Sequence, residues 1–238
     1  MARALGMRLI SLTDHDTVAG LHEAESAAEQ AGVRFIPGIE LSASEDGIDC
    51  HILGYGIAPD HRELILVCGE LARQRGLRET RIFDYLQNSG VELEASQVYR
   101  HTPPGRAGRS HFALALVHAG YAESVSAAFD LYLATPEFSK IDRPKIALDA
   151  CTALIQNAGG FASLAHPGFL KMPPSEFESF LARLTDAGIR GLECHYSAHT
   201  PEETKYYLAQ AKKHRLIITR GSDFHGEKLK PGVKIGNC

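Results

Sequence analysis

Residues 9–16 read LISLTDHD, an apolar segment of strand length that runs directly into Asp14, His15 and Asp16. The same order recurs along the chain, where VRFI precedes PGIE, FASL precedes AHP, and LIIT is closely followed by GSDFH. Segments of helical composition lie between these apolar runs. This alternation predicts βα units around a parallel sheet, with polar residues gathered at the carboxyl ends of the strands.

The pattern predicts an α/β fold, and turn signals mark the ends of its elements. Three helices are followed closely by glycine, and Pro201 after Thr200 is typical of a helix start. The expected strands are residues 8–12, 33–36, 48–54, 161–164, 190–194 and 216–219, and the expected helices are 21–31, 145–158, 175–187 and 201–214.

The middle of the chain has a different character. Residues 62–143 are rich in Arg, Ala and Leu with helical periodicity, and they contain no convincing strand. We therefore expect two domains, a barrel formed by residues 1–61 and 144–238 and a helical insertion formed by residues 62–143. Within the insertion, the basic run 73–81 is typical of a solvated helix face, with a contact to an RNA backbone as the alternative.

Composition excludes several classes of protein. The chain has 238 residues with 44% hydrophobic content, enough for one substantial core and a small second lobe. A net charge of −4 argues against a polybasic nucleic-acid or membrane-surface binder. The sequence shows no long apolar run and no signal-peptide pattern at its start, so we expect a cytoplasmic protein without membrane association. Five scattered cysteines without a C-x-x-C pair argue against a disulfide framework.

The polar residues at the strand ends favour metal binding over simple proton transfer. An acid–base site needs one or two such groups, whereas a larger crowd of histidines and carboxylates is held together by cations. Histidine nitrogen and carboxylate oxygen without thiolate suit Mn²⁺, Fe²⁺ or Zn²⁺. Glu40 could bridge two ions, and Asp223 and His225, two residues apart, could face the same side.

Several motifs together resemble those of the polymerase-and-histidinol-phosphatase (PHP) domain. They are TDHDT, GIELS eleven residues before the histidine of HILGY, AHP, GSDFHG, and GRSHFA within the insertion. Within that family the chain is similar to bacterial nucleoside 3′,5′-bisphosphate phosphatases and 5′-to-3′ exoribonucleases that act on short RNA. The resemblance implies a distorted (β/α)₇ barrel with a trinuclear metal site.

The resemblance also implies roles for individual residues. The implied metal ligands are His15, Glu40, His51, His166, Asp223 and His225, and the implied substrate-binding residues are Arg109, His111, Ser197 and His199. The implied cofactors are divalent metals, Mn²⁺ first with Zn²⁺ or Fe²⁺ as alternatives, up to three in a full-length protein. No side chain is assigned as catalytic, because the expected nucleophile is a hydroxide activated by the metals. Asp14 and Asp16 could orient His15 or cap the following helix.

The start of the chain departs from the family pattern. The resemblance implies an H-x-H motif on a first strand and an S-D-G segment after it, and neither is present. Residues 2–7 (ARALGM) read as the end of a helix that leads into LISL. We therefore expect a barrel that lacks its first strand, either through a misplaced start or because the chain is a fragment, with one metal position short of ligands.

These observations favour a metal-dependent phosphoesterase. Its expected substrates are small nucleotides such as nucleoside 3′,5′-bisphosphates, or short single-stranded RNA with a 5′ phosphate that it would trim. No stable protein partner is inferred. Two alternatives remain open at the level of sequence: a non-catalytic fragment that binds metal or phosphate, and a metal-dependent hydrolase of a non-phosphate substrate, since fold does not fix chemistry.

Overall fold

A computed structural model describes residues 1–141, 144–226, 230 and 232–236. In chain order the strands and α-helices are β1 (Leu9–Leu12), α1 (Leu21–Gln30), β2 (Arg34–Glu45), β3 (Ile48–Tyr55), α2 (Arg62–Asn88), α3 (Ala95–Val98), α4 (Arg109–His118), α5 (Val125–Ala128), β4 (Ile146–Ala147), α6 (Leu148–Asn157), β5 (Phe161–Leu164), α7 (Pro174–Asp186), β6 (Gly191–Tyr196), α8 (Pro201–Lys213) and β7 (Ile217–Gly221). The described residues also form four short 3₁₀ helices, of which one precedes β1, and one π-helical turn.

The chain divides into two compact units. One comprises Met1–Cys68 together with Lys145–Cys238, and the other comprises Gly69–Pro144. The sequence pattern places the first boundary between residues 61 and 62, where α2 begins, whereas this division falls inside that helix. In the described residues, no helix combines the length and the apolar character that crossing a membrane requires.

The first unit is built on a seven-stranded sheet whose strands follow the order β1-β2-β3-β5-β6-β7, with β4 also paired to β2. The α/β class is confirmed. The expected parallel pairing is confirmed for β1 with β2, β2 with β4, β5 with β6 and β6 with β7. Strand β3 departs from it and runs antiparallel to both β2 and β5. Strands β1 and β7 lie at the two ends of this order, and among the described residues no ladder joins them, so the sheet is open, as expected for a barrel that lacks its first strand.

Strand β2 extends well beyond the segment expected from the sequence. Pro37 and Gly38 suggest a break after Ile36, yet the strand continues to Glu45. Pro37 is the last partner of β1, and Gly38 is the first partner of β3. A proline is tolerated at this point because the strand changes partners there.

A tight hairpin turn inverts the chain between β2 and β3. Asp46 and Gly47 both have positive φ, 49° and 77°, as a two-residue type I′ turn requires. The sequence contained this Asp-Gly signal. It explains the antiparallel pairing, because two strands joined by two residues can only fold back on each other.

Side chains on β2 alternate between the core and the opposite face of the sheet. Ile39, Leu41 and Ala43 are fully buried, and Ile39 packs close to Gly54 of β3. Glu40 and Ser42 point the other way, as the two-residue period of a strand dictates. A single strand therefore contributes both to the hydrophobic core and to a polar cluster.

The predicted helix boundaries hold to within a few residues. Helix α8 begins with a capping box, in which Thr200 Oγ1 accepts from the backbone N–H of Glu203 and the Glu203 carboxylate accepts from that of Thr200. Helix α6 begins three residues later than expected, because Ile146 and Ala147 pair with Ala43 and Ser44 as β4. A strand of two residues leaves no periodic signal in the sequence.

Among its described residues, all the regular elements of the second unit are helical, as the sequence predicted, and loops connect them. Its core includes Ile82, Leu86, Phe112, Leu116 and Phe138, all buried. The composition of this segment, with apolar residues at helical spacing, is sufficient to explain that packing.

Candidate metal centre

Glu40 lies at the centre of a cluster of imidazoles. Its side chain is 7% exposed. Carboxylate atom Oε1 lies 2.7 Å from Nδ1 of His51 and 3.1 Å from Nε2 of His166, and Oε2 lies 3.5 Å from Nδ1 of His15. One buried carboxylate therefore joins histidines from distant parts of the chain.

Strand register explains why Glu40 and His51 meet. Ser42 on β2 lies directly opposite His51 on β3, and Glu40 is two residues from Ser42 on the same face. Diagonal neighbours of this kind are within reach of long side chains. Glu40 thus stands inside β2 and not at its carboxyl end, which corrects the strand boundary assumed from the sequence.

The loop after β1 brings His15 to the same face. His15 forms an isolated parallel bridge with Glu40, in which Asp16 N–H donates to the Glu40 carbonyl at 2.8 Å and Glu40 N–H donates to the Asp14 carbonyl at 3.1 Å. Asp16 is buried, and its carboxylate accepts from the backbone N–H of Ser42 at 3.0 Å. Of the two roles considered for Asp16, holding the His15 loop is the one the structure supports.

His166 enters the cluster from the end of β5. The adjacent Ala165 N–H donates to the His51 carbonyl at 3.0 Å, which fixes this end of β5 beside β3. His166 itself has φ 24° and ψ 61°, an unusual backbone conformation for the residue before a proline. Its backbone N–H donates to Oε2 of Glu193 at 2.7 Å.

The loop after β7 supplies the last two predicted ligands. The imidazoles of His225 and His15 have centroids 5.8 Å apart, and Nδ1 of His225 lies 3.2 Å from Oδ1 of Asp223. The Asp223 carboxylate accepts from the Tyr196 hydroxyl at 2.9 Å and forms an ion pair with Lys230. All six residues that the resemblance implied as ligands thus lie in one contiguous group.

The surroundings set the charge state of the central carboxylate. Burial raises the pKa of Glu40, but the neighbouring His15 and the hydrogen bonds from His166 and His51 outweigh it and hold the pKa well below its usual range. Burial lowers the pKa of His166, but Glu40 outweighs this and the net shift is upward. The cluster therefore contains an ionised carboxylate shared by several imidazoles.

This donor set fits a divalent cation. One ligand atom each from His15, Glu40 and His51 lies within 4.8 Å of the others. Nitrogen and carboxylate oxygen donors suit Mn²⁺, Fe²⁺ or Zn²⁺, and an ion replaces the protons that these groups share without it. The identity and number of the ions belong to the proposal below.

Sequence reasoning missed Glu193. This carboxylate stands inside β6 and is 4% exposed, and burial raises its pKa to about 7. An acidic residue within the apolar run GLEC was a detectable signal, because a charged group is rarely buried without a partner. That partner, the backbone of His166, is 27 residues away and was not visible in the sequence.

Ser197 and His199 line a cavity of about 510 Å³, together with Tyr196, Thr204 and Lys205. Ser197 Oγ donates to the Ser222 carbonyl at 3.0 Å. Both ring nitrogens of His199 contact backbone groups. Nδ1 lies 3.1 Å from the Cys194 carbonyl oxygen, and Nε2 lies 3.4 Å from the Gly168 nitrogen. Their contact with substrate stays a prediction.

Arg109 and His111 belong to the second unit. Arg109 is the exposed first residue of α4, with its guanidinium 5.8 Å from the centroid of the Phe129 ring. His111 Nδ1 accepts from the backbone N–H of Gly108 at 3.1 Å and so caps the same helix. A role for either residue in binding substrate stays a prediction.

Comparison with known proteins connects this cluster to a family. A 3′,5′-nucleoside bisphosphate phosphatase of Chromobacterium violaceum is 31% identical over 232 residues, which covers 94% of this chain and 79% of that protein. The 5′-3′ exoribonuclease Rnm of Escherichia coli is 30% identical over 241 residues, which covers 98% of this chain and 80% of that protein. The chain belongs to the PHP family.

Structural similarity supports the same assignment. A Bifidobacterium adolescentis protein with the provisional name metal-dependent phosphoesterase matches this PHP chain with a TM-score of 0.85 at 29% identity, covering 99% of this chain and 82% of its own. No family model matches the chain. The family recognised from the motifs is confirmed, and the names of the relatives agree with the predicted class of phosphoesterase.

Proposed function

We propose that this PHP protein is a metal-dependent phosphoesterase that hydrolyses small nucleotides such as nucleoside 3′,5′-bisphosphates or trims short RNA from a 5′ phosphate. The observation that carries the proposal is the buried Glu40 carboxylate with three imidazoles around it. The names of relatives that the chain covers over most of their length support the substrate class.

The residues that would hold the ions are His15, Glu40, His51, His166, Asp223 and His225. When bound there, divalent cations act as Lewis acids toward a phosphoryl oxygen and lower the pKa of coordinated water toward about 7. We favour Mn²⁺, with Zn²⁺ or Fe²⁺ as alternatives, because the donors combine imidazole with carboxylate.

The chain's own residues hold and orient the reactants. Glu40 stays ionised in a nearly water-free position, so it adds a fixed negative charge that favours cations over further protons. Tyr196 and Lys230 hold the Asp223 carboxylate. In the second unit, a guanidinium such as that of Arg109 can bind phosphate in bidentate fashion, which is the reason for proposing it as a substrate contact.

A cytoplasmic location is part of the proposal. Cys50, Cys68, Cys151 and Cys194 are buried and form no disulfide bond, as is usual in a reducing compartment. We propose no stable protein partner.

The test replaces ligands and measures metal and activity separately. His51→Ala and His166→Ala should each lower bound Mn²⁺ and abolish phosphate release from adenosine 3′,5′-bisphosphate while the protein stays folded. His22→Ala is the matched control, because His22 is an exposed histidine that contacts Asp60. Unchanged metal content in both variants contradicts the ligand assignment.

The substrate panel separates the alternatives. Release from the bisphosphate and from short RNA, with no turnover of amides, supports the proposal. Turnover of amides alone indicates a hydrolase of a non-phosphate substrate. Metal binding without turnover of any substrate indicates a binding protein.

A further inference from the structure

The buried carboxylate of Glu193 has no assigned function. It lies in β6, where the pairing with β7 slips by one residue between Glu193 and His195. Such a bulge changes the direction of neighbouring side chains and is frequent beside active sites. Here Oε2 of Glu193 lies 2.7 Å from the backbone nitrogen of His166, so the carboxylate accepts a hydrogen bond from that N–H.

The hydrogen bond holds a strained residue. His166 has a positive φ of 24° although it is not glycine, and the following residue is Pro167. A backbone in a sparsely populated region persists only where its surroundings hold it. From this backbone the imidazole places Nε2 3.1 Å from Oε1 of Glu40.

Gly221 makes room for the carboxylate. A Cβ added at Gly221 would lie 2.3 Å from Oε1 of Glu193, closer than any real contact. The φ of Gly221 is not in the left-handed region, so alanine could adopt its backbone without strain. Glycine is therefore needed at position 221 because it has no Cβ to overlap the Glu193 carboxylate, and not because of its backbone flexibility.

We propose that Glu193 is a positioning residue that fixes His166 in the orientation needed to bind metal, and that Gly221 is required because it admits the Glu193 carboxylate. The inference rests on the metal-binding role of His166 in the proposed function. Outer hydrogen-bond partners of metal ligands typically change metal affinity or activity by about 10- to 100-fold.

The experiment measures Mn²⁺ binding by calorimetry and metal content by elemental analysis, without substrate. Glu193→Ala should weaken Mn²⁺ binding by about 10- to 100-fold. Glu193→Gln should stay near wild type, because its amide oxygen can still accept from the His166 N–H. Gly221→Ala should reproduce the defect of Glu193→Ala, and adding Gly221→Ala to Glu193→Ala should cause no further loss.

Thr152→Val is the control for general destabilisation. Thr152 is buried in α6, and its hydroxyl donates to the Ala187 carbonyl at 2.6 Å. This variant should unfold at a lower temperature than wild type and bind Mn²⁺ normally. If Glu193→Ala does not fold, the Gly221→Ala and Glu193→Gln variants decide the question.

The outcomes separate two failures. Normal Mn²⁺ affinity in folded Glu193→Ala overturns the positioning role, provided that His166→Ala loses metal. Normal Mn²⁺ affinity in folded Gly221→Ala overturns the requirement for glycine at that position. A Gly221→Ala defect that persists in full on the Glu193→Ala background overturns the link between the two residues. Normal metal binding in His166→Ala overturns the proposed metal centre itself.

Discussion

His199 connects strand β6 to the 3₁₀ turn after β5 through both nitrogens of its ring. The Cys194 carbonyl can only accept a hydrogen bond and the Gly168 N–H can only donate one, so the ring is neutral with its proton on Nδ1. Burial lowers the pKa of His199, and the nearby His166 and His195 add to this effect. The Cys194 carbonyl and Glu203 act in the opposite direction but do not outweigh burial.

This arrangement predicts a loss of stability in mild acid. The unfolded chain has the higher pKa at this residue, so it binds more protons as the pH falls and the free energy of unfolding decreases. The contribution of neutral His199 to the free energy of unfolding is fully present above a pH of about 6.5, the ordinary pKa of histidine, and is lost as the pH falls below it. Urea unfolding at several pH values should show that the free energy of unfolding falls more steeply with decreasing pH in wild type than in His199→Asn, whose side chain does not titrate.

Parallel pH profiles for the two proteins would contradict the neutral-ring assignment. The comparison with a variant is necessary because other histidines also titrate in this range. The asparagine side chain can still donate to the Cys194 carbonyl, so the variant retains one of the two contacts.

Residue type and position relative to the strands were sufficient to suggest the cluster. His15, His166, Asp223 and His225 follow strands in the sequence, and the structure brings them together. The role of Glu193 could not be predicted, because it depends on a one-residue slip in pairing and on the backbone of a distant loop. Neither leaves a periodic signal.

At the scale of elements, a buried carboxylate organises the loop that precedes α4. Glu79 of α2 is 2% exposed. Its carboxylate accepts from the backbone N–H of Gly105 at 2.8 Å, from that of Ala107 at 2.6 Å, and from the Tyr99 hydroxyl at 3.0 Å. One side chain of a long helix therefore fixes the loop from which Arg109 follows.

Replacing this carboxylate should loosen the loop. Glu79→Ala leaves two backbone donors and a hydroxyl without their acceptor, and each buried unsatisfied group costs about 1–3 kcal/mol. We expect the second unit to be destabilised by about 2 kcal/mol or more. The hydrogen-exchange rates of the amides of residues 105 and 107 should rise sharply in Glu79→Ala. In Glu79→Gln these rates should lie between those of wild type and Glu79→Ala.

The control is Glu70→Ala on the same helix, since Glu70 is exposed and contacts Arg73 and Gln74. It should leave exchange at 105 and 107 unchanged. Equal protection in Glu79→Ala and wild type would show that the carboxylate does not hold the loop.

The elements themselves were largely predictable because most are long enough to be periodic. Helices α1, α7 and α8 begin and end close to their expected residues. The errors occur where pairing decides the structure: β2 crosses a Pro-Gly pair, β3 is inverted by a short turn, and β4 has two residues. Pairing partners lie outside any local window, so local propensity cannot identify them.

At the scale of the whole molecule, charge limits what the protein can attract. The net charge of −4 creates no long-range attraction for a polyanion, so affinity for phosphate depends on local groups. Proteins that bind long nucleic acid through many phosphate contacts show strong salt dependence. A site that relies on a few ions and one or two arginines contacts only a few phosphates.

We therefore predict a preference for short substrates. At equal phosphate concentration with Mn²⁺, a nucleoside 3′,5′-bisphosphate or a short single-stranded RNA with a 5′ phosphate should be hydrolysed faster than a structured hairpin. The rate for the hairpin should also fall little between about 50 and 200 mM salt, because few counterions are released on binding. Faster hydrolysis of the hairpin, or cleavage at internal positions, would indicate an extended nucleic-acid groove, which the overall charge of this chain does not favour.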